Sequence, residues 1–200
     1  QGSTRLENPA PAASYYGYAD DVLNDQGLPI MVGGGEFATE AQKTEPDKNT
    51  YLVFPKGLPG ADPTYDYGTH FLFQGHEGAP KDADGNVQGH ITRINLDADG
   101  DHRVTLLATT DTSGKPLPTI DGSTWDPWAQ RLLFTAERGA AGGVWAADLG
   151  VPATVEDVSG ALGRGGYEGI QNDSAGNIWI VEDVGGAGKK EAIEGRAEQI

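Results

Sequence analysis

The chain has 200 residues, with 14 Lys and Arg against 30 Asp and Glu, for a formal charge of −16. Nucleic acid and anionic membrane surfaces need a basic footprint, so that excess argues against both as partners and favours cations. With no Cys, the chain has no disulfide, thiolate zinc site or Cys nucleophile.

No apolar run approaches the ~18 residues of a membrane span. The acidity is even: residues 1–100 hold 15 acids and 6 bases, and residues 101–200 hold 15 and 8. There are 30 Gly and 12 Pro, so many tight turns are expected, and 37% apolar residues with four Trp suffice for a core. At about 150 residues per domain, the length fits one domain or a piece of a larger one. The first residue is Gln1 and the only Met is Met31. The expectation is a processed or truncated product, secreted or periplasmic.

Residues 1–50 read as an irregular N-terminal segment, broken by Pro9, Pro11, Pro29, Pro46 and the run Gly33-Gly34-Gly35. One short helix is predicted near Ser14–Val22, capped by Ser14 and weakened by Gly17. Short β-type runs then recur between turns: Tyr51–Phe54, His70–Phe73, His90–Ile94, Arg103–Ala108, Arg131–Thr135, Gly143–Ala146 and Asn177–Val181. The connectors are turn chemistry, as in Asp82-Ala-Asp-Gly85, Asp97-Ala-Asp-Gly100 and Thr112-Ser-Gly114. No amphipathic helix is evident over 51–185, so the pattern is all-β. Residues 186–200 are a polar tail without a strand pattern.

A repeat runs through these strands. His70–Glu77, Arg131–Glu137 and Asn177–Glu182 are each an apolar strand ending in an acid, with the acids 60 and 45 residues apart. Propeller blades recur at about that spacing, and rotation about an axis would bring the strand ends to one rim. The reading is a β-propeller over residues 51–185, with a β-sandwich as the alternative. The stretch from Gly166 to Asp183 reads as one hairpin, in which Glu168 sits among Gly and apolar residues and is expected to be buried. Glu77, Glu137, Glu168 and Glu182 are the candidate metal ligands. Only 14 bases face 30 acids, and a buried carboxylate is costly unless paired or metal-bound. Hard oxygen donors suit calcium.

Other signals read as structural. Asp97-Ala-Asp99-Gly-Asp101 and Asp82-Ala-Asp84-Gly-Asn86 look like calcium loops but lack the Glu at position 12, so hairpin turns are expected. His70, His76, His90 and His102 lack zinc spacing and read as strand or surface residues. Trp125 and Trp128 read as core and turn packing. Arg164 is a candidate anion contact.

At these residues the chain resembles the PhoX family of secreted bacterial alkaline phosphatases. That family has a strand ending in Asn-His-Glu, and Phe71-Leu-Phe-Gln-Gly-His-Glu77 is similar. Its Pro-Trp-Gly-Thr-Trp-Leu-Thr-Cys-Glu-Glu stretch resembles Pro127-Trp-Ala-Gln-Arg-Leu-Leu-Phe-Thr-Ala-Glu137. Its Gly-Arg-Phe-x-His-Glu-Ala resembles Gly163-Arg-Gly-Gly-Tyr-Glu-Gly169, and its strand ending in Thr-Glu-Asp resembles Ile180-Val-Glu-Asp183.

The resemblance implies a β-propeller with calcium and iron at its axis, hydrolysis of phosphate esters, and a small anionic substrate. By motif position, Glu77, Glu137, Glu168 and Glu182 would be metal ligands. The family's iron-binding Cys falls at Ala136, which argues for calcium alone. The motifs cover only the first part of the family's sequence. An open fan of blades would leave exposed sheet edges, so a second polypeptide is expected to complete the propeller, such as the cleaved C-terminal part of the same precursor. Two alternatives stay open: a non-catalytic, calcium-stabilised interaction propeller, and a lactonase-type calcium propeller.

Overall fold

A computed structural model describes residues 5–10, 13–15, 31–32, 39–40, 46–77 and 89–183. The Asp82–Asn86 turn and the 186–200 tail lie outside them. Strand β1 (Arg5–Ala10) pairs with β2 (Ala13–Tyr15), and β3 (Met31–Val32) pairs with β4 (Thr39–Glu40). The N-terminal segment is therefore not wholly irregular. Ser14 and Tyr15 belong to a strand rather than the expected helix, whose remaining residues lie outside the described set. Three antiparallel units follow. The first is β5 (Pro46–Val53), β6 (His70–His76), β7 (Ile91–Asn95) and β8 (Val104–Ala108), in sequence order. The second is β9 (Ser123–Asp126), β10 (Arg131–Ala136), β11 (Gly143–Ala147) and β12 (Val155–Asp157), again in sequence order. A single helical turn, α1 (Ser159–Leu162), leads to the hairpin of β13 (Tyr167–Asn172) and β14 (Ile178–Glu182). The fold of the described residues is all-β.

The strands carry apolar side chains on both faces because both faces are covered. Phe71 and Phe73 of β6 alternate toward Leu132, Phe134 and Ala136 of β10 and Trp145 and Ala147 of β11, which form the main core between the two four-stranded sheets. The outer face of the first sheet buries Ile94, Val104 and Leu106 against Leu6 of β1. The far face of the second sheet buries Leu133, Val144 and Ala146 against Ile170, Ile178 and Ile180 of the hairpin. The units thus lie face to face in chain order. Their first strands also meet: β5 packs on β9, and β9 on β13.

The turns follow their sequence. Asp99 Oδ1 accepts from the amides of Asp101 and His102 at 3.1 Å each, and Asp97 Oδ2 accepts from the amide of Thr69 at 2.8 Å. The calcium-loop look of this segment is spent on backbone amides. At the β13–β14 turn, Asp173 Oδ1 accepts from the amides of Ala175 (2.8 Å) and Asn177 (3.0 Å), and Gly176 supplies φ +87°.

Trp125 packs on the main core and meets Phe54 edge-on at 6.1 Å, whereas Trp128 is 56% exposed rather than packed inside. His76 and His90 are fully buried and stack at 4.0 Å, so His90 is a core residue just ahead of β7. Burial holds both imidazoles below their ordinary pKa, His90 at about 4.

The exposed edge of β8 is covered by β1. Asn8 acts as a surrogate strand there: its Nδ2 donates to the Leu106 carbonyl and its Oδ1 accepts from the Leu106 amide, both at 2.8 Å. Replacing Asn8 with Ala removes both bonds from a buried backbone. A loss of about 1–3 kcal/mol in urea unfolding is expected. The edge of β14 away from β13 has no paired strand among the described residues, although Trp179 and Val181 on it are 43% and 57% exposed.

Candidate metal centre

Antiparallel pairing brings the start of one strand beside the end of the next. In each of the three units, that same end carries acids. Asp47 is the second residue of β5, next to Pro46, which pairs with His76, and Glu77 follows β6. Asp121 precedes β9 and its amide donates to the Thr135 carbonyl of β10 at 2.9 Å, while Glu137 follows β10. Glu168 lies in β13, and Asp183 follows β14, its amide donating to the Gly166 carbonyl at 2.9 Å. A bridge from Glu137 to Gly166 and a bond from the Ile120 amide to the His76 carbonyl at 2.9 Å join the units at this end.

Glu77, Asp121 and Glu137 each place a carboxylate oxygen within 4.8 Å of the others. Oxygens bound to one calcium at ~2.3–2.6 Å lie no more than about 5 Å apart, so the three fit a single ion. Asp121 is 2% exposed, and no described group donates to its Oδ1. Burial, then the hydrogen bond and charge of Asp47, push its carboxyl up to about 8; Lys48 opposes this and Glu77 adds to it. Glu137 is raised likewise, first by its hydrogen bond with Asp183, then by burial and the charges of Asp183, Glu77 and Glu168. These are the marks of crowded negative charge.

The structure therefore brings together Glu77 and Glu137 of the four acids singled out in the sequence. Glu168 lies close enough to act on Glu137, but its side chain is 50% exposed and not buried as expected. Lys48 reaches across from β5 to it, with Nζ 3.8 Å from Oε1 and 3.1 Å from the Glu168 carbonyl. Glu182 is exposed, and its Oε1 lies 3.0 Å from the point where a Cβ on Gly165 would sit. Asp183, one residue on, is the acid that reaches Glu137. Strand-end acids alone do not reveal Asp47 and Asp121, which stand at strand starts. The signal for Asp121 is a lone acid between Ile120 and Gly122 just ahead of a strand. Arg164 is held by Asp157 at 2.5 Å, so it is not a free anion contact.

Closeness here depends on a missing side chain. A Cβ on Gly122 would stand 2.6 Å from the Glu168 carbonyl and 3.0 Å from the Gly169 Cα, both backbone atoms. Gly122→Ala must therefore part β9 from β13. An expected loss of about 1–3 kcal/mol, read by thermal melting, checks this contact. An open groove of about 390 Å³ runs alongside, lined in part by Lys48, Ser123, Gly169 and Trp179.

Fold and site together define an all-β protein with a convergent carboxylate cluster. No family model, curated protein or solved structure matches the chain.

Proposed function

We propose that these acids form a calcium centre at one end of a β-propeller arc, and that the calcium-loaded protein hydrolyses phosphate esters. The observation that carries this reading is the meeting of Glu77, Asp121 and Glu137, with a buried Asp121 oxygen that accepts from no described donor. An all-oxygen donor set suits a hard cation. Ala136 is fully buried and offers no ligand where the PhoX family, which the sequence resembles, has its iron-binding Cys, which favours calcium over iron. Glu77, Asp121 and Glu137 would hold the ion, with Asp47, Asp183 and Glu168 supplying further negative charge beside it. Bound calcium supplies polarisation of a phosphoryl oxygen and stabilises developing negative charge.

The propeller part rests on the repetition of four-stranded meanders stacked face to face, with first strands adjacent. By the same repetition, β14 is the second strand of a third blade. We propose that a second polypeptide, such as the cleaved C-terminal part of the same precursor, supplies the strands beyond it. Extracellular calcium sites work at about 10⁻⁴–10⁻³ M, which fits a secreted or periplasmic setting.

The test is turnover of a chromogenic phosphate ester by the native protein with calcium, then with a chelator. Chelator-sensitive hydrolysis is expected; calcium binding without hydrolysis removes the enzymatic part. The absence of a ligand at Ala136 also favours a second reading, a calcium-stabilised interaction propeller without activity. Calcium without a transition metal in elemental analysis, together with no hydrolysis, would select it.

A further inference from the structure

An anion approaching this site meets a dense field of carboxylates, so something besides a bound cation must receive it. Basic side chains around the cluster are few, and most are engaged. Lys48 is held by Glu168 and Arg164 by Asp157. Arg138 differs. It directly follows Glu137, is exposed, and makes no ion pair among the described residues. Its Nε donates to Thr119 Oγ1 at 2.9 Å, and Thr119 is 6% exposed. Thr119 stands two residues before Asp121, at most about 7 Å of chain. One end of the guanidinium is thus anchored between the segments that carry Asp121 and Glu137. Nη1 and Nη2 carry no described bond.

A planar fork fixed through Nε presents two parallel N–H donors, the geometry that matches a phosphoryl group. We infer that Arg138 binds the phosphoryl oxygens of the substrate, with Thr119 setting the plane of its guanidinium. The inference rests on the reading of the carboxylate cluster as a calcium centre. It assigns the anion-recognising half of that site to a residue outside the metal ligands. A lysine at this position would keep the charge but lose the fork.

The experiment uses the full chain and two titrations: calcium alone, then inorganic phosphate into the calcium-loaded protein. The wild type is compared with Arg138→Gln, Arg138→Lys and Thr119→Val. The expected result is a calcium Kd within about threefold of wild type in every variant. Phosphate affinity should fall about ten- to hundredfold in Arg138→Gln, with partial recovery in Arg138→Lys and an intermediate loss in Thr119→Val. Thr119→Val keeps the charge, so it reports on orientation even if Arg138→Gln fails to fold. Equal phosphate affinity across the folded variants overturns the inference, as does a calcium-loaded wild type that binds no phosphate. A wild type that binds no calcium overturns the metal reading instead, and the inference falls with it.

Discussion

Asp121→Asn is expected to weaken calcium binding by more than about 100-fold while making the metal-free protein less sensitive to alkaline pH. Both effects come from one buried carboxyl. As a ligand it supplies charge at the centre of the triad with Glu77 and Glu137; altering a group that merely supports a ligand already costs about 10–100-fold. Without metal, the same group is held up to about 8, first by burial and then by Asp47. Its unfolded value is near 3.9. Between those values the folded state holds a proton that the unfolded state has released, so stability falls as pH rises.

Other groups narrow the useful window. Burial lowers His76 and His90, so they add stability as pH rises toward 6.5. His102 is raised, first by its bond to Asp99, and loses its contribution as pH rises through its folded value. Above pH 6.5 the wild type should therefore lose up to about 1.4 kcal/mol per pH unit more than Asp121→Asn, until Asp121 ionises near pH 8. Urea titrations at pH 6.5, 7.25 and 8, with chelator, read this difference. Parallel slopes would show that Asp121 ionises freely in the fold. Saturating calcium should flatten the wild-type slope, because the ion replaces the proton.

Phe134→Ala should cost about 3–5 kcal/mol and leave a folded but much weaker protein. Phe134 is fully buried at the middle of β10. It pairs across to Trp145 on one side and Ser123 on the other, and faces Phe71 and Phe73 across the main core. Neighbours fixed in two strands cannot close the void, so the loss includes a cavity as well as lost burial. For a chain of this size that amounts to a fall of roughly 6–20 °C in melting temperature. A shift under about 2 °C by calorimetry would mean that the two sheets are not packed through this residue.

The strands that announce themselves are those buried on both faces. Phe71-Leu-Phe73 and Leu132-Leu-Phe134 are dense apolar runs because each is sandwiched. Strands β9, β12 and β13 are quiet. Ser123-Thr-Trp-Asp126 and Val155-Glu-Asp157 are short and half polar, and their positions are set by neighbours rather than by intrinsic preference. Pro46–Thr50 looks like loop, yet pairing with β6 extends β5 backward through it. At the site, Glu77 and Glu137 were legible as strand-end acids. Asp121 and Asp47 were not, because only antiparallel pairing turns a strand start into the neighbour of a strand end. The phase of Glu182 against Asp183 is a matter of one residue in a period of two, which composition cannot resolve.

Each meander pairs only strands that follow one another in the chain, so its contacts are local and inexpensive to close. The acids, by contrast, come from three separate units. Assembly can thus proceed sheet by sheet, with the mutual repulsion of the carboxylates arising only when the units dock. A cation that binds after this last event should leave the refolding rate nearly unchanged and slow unfolding instead. Calcium would then act as a latch on the finished structure rather than as a nucleus for it.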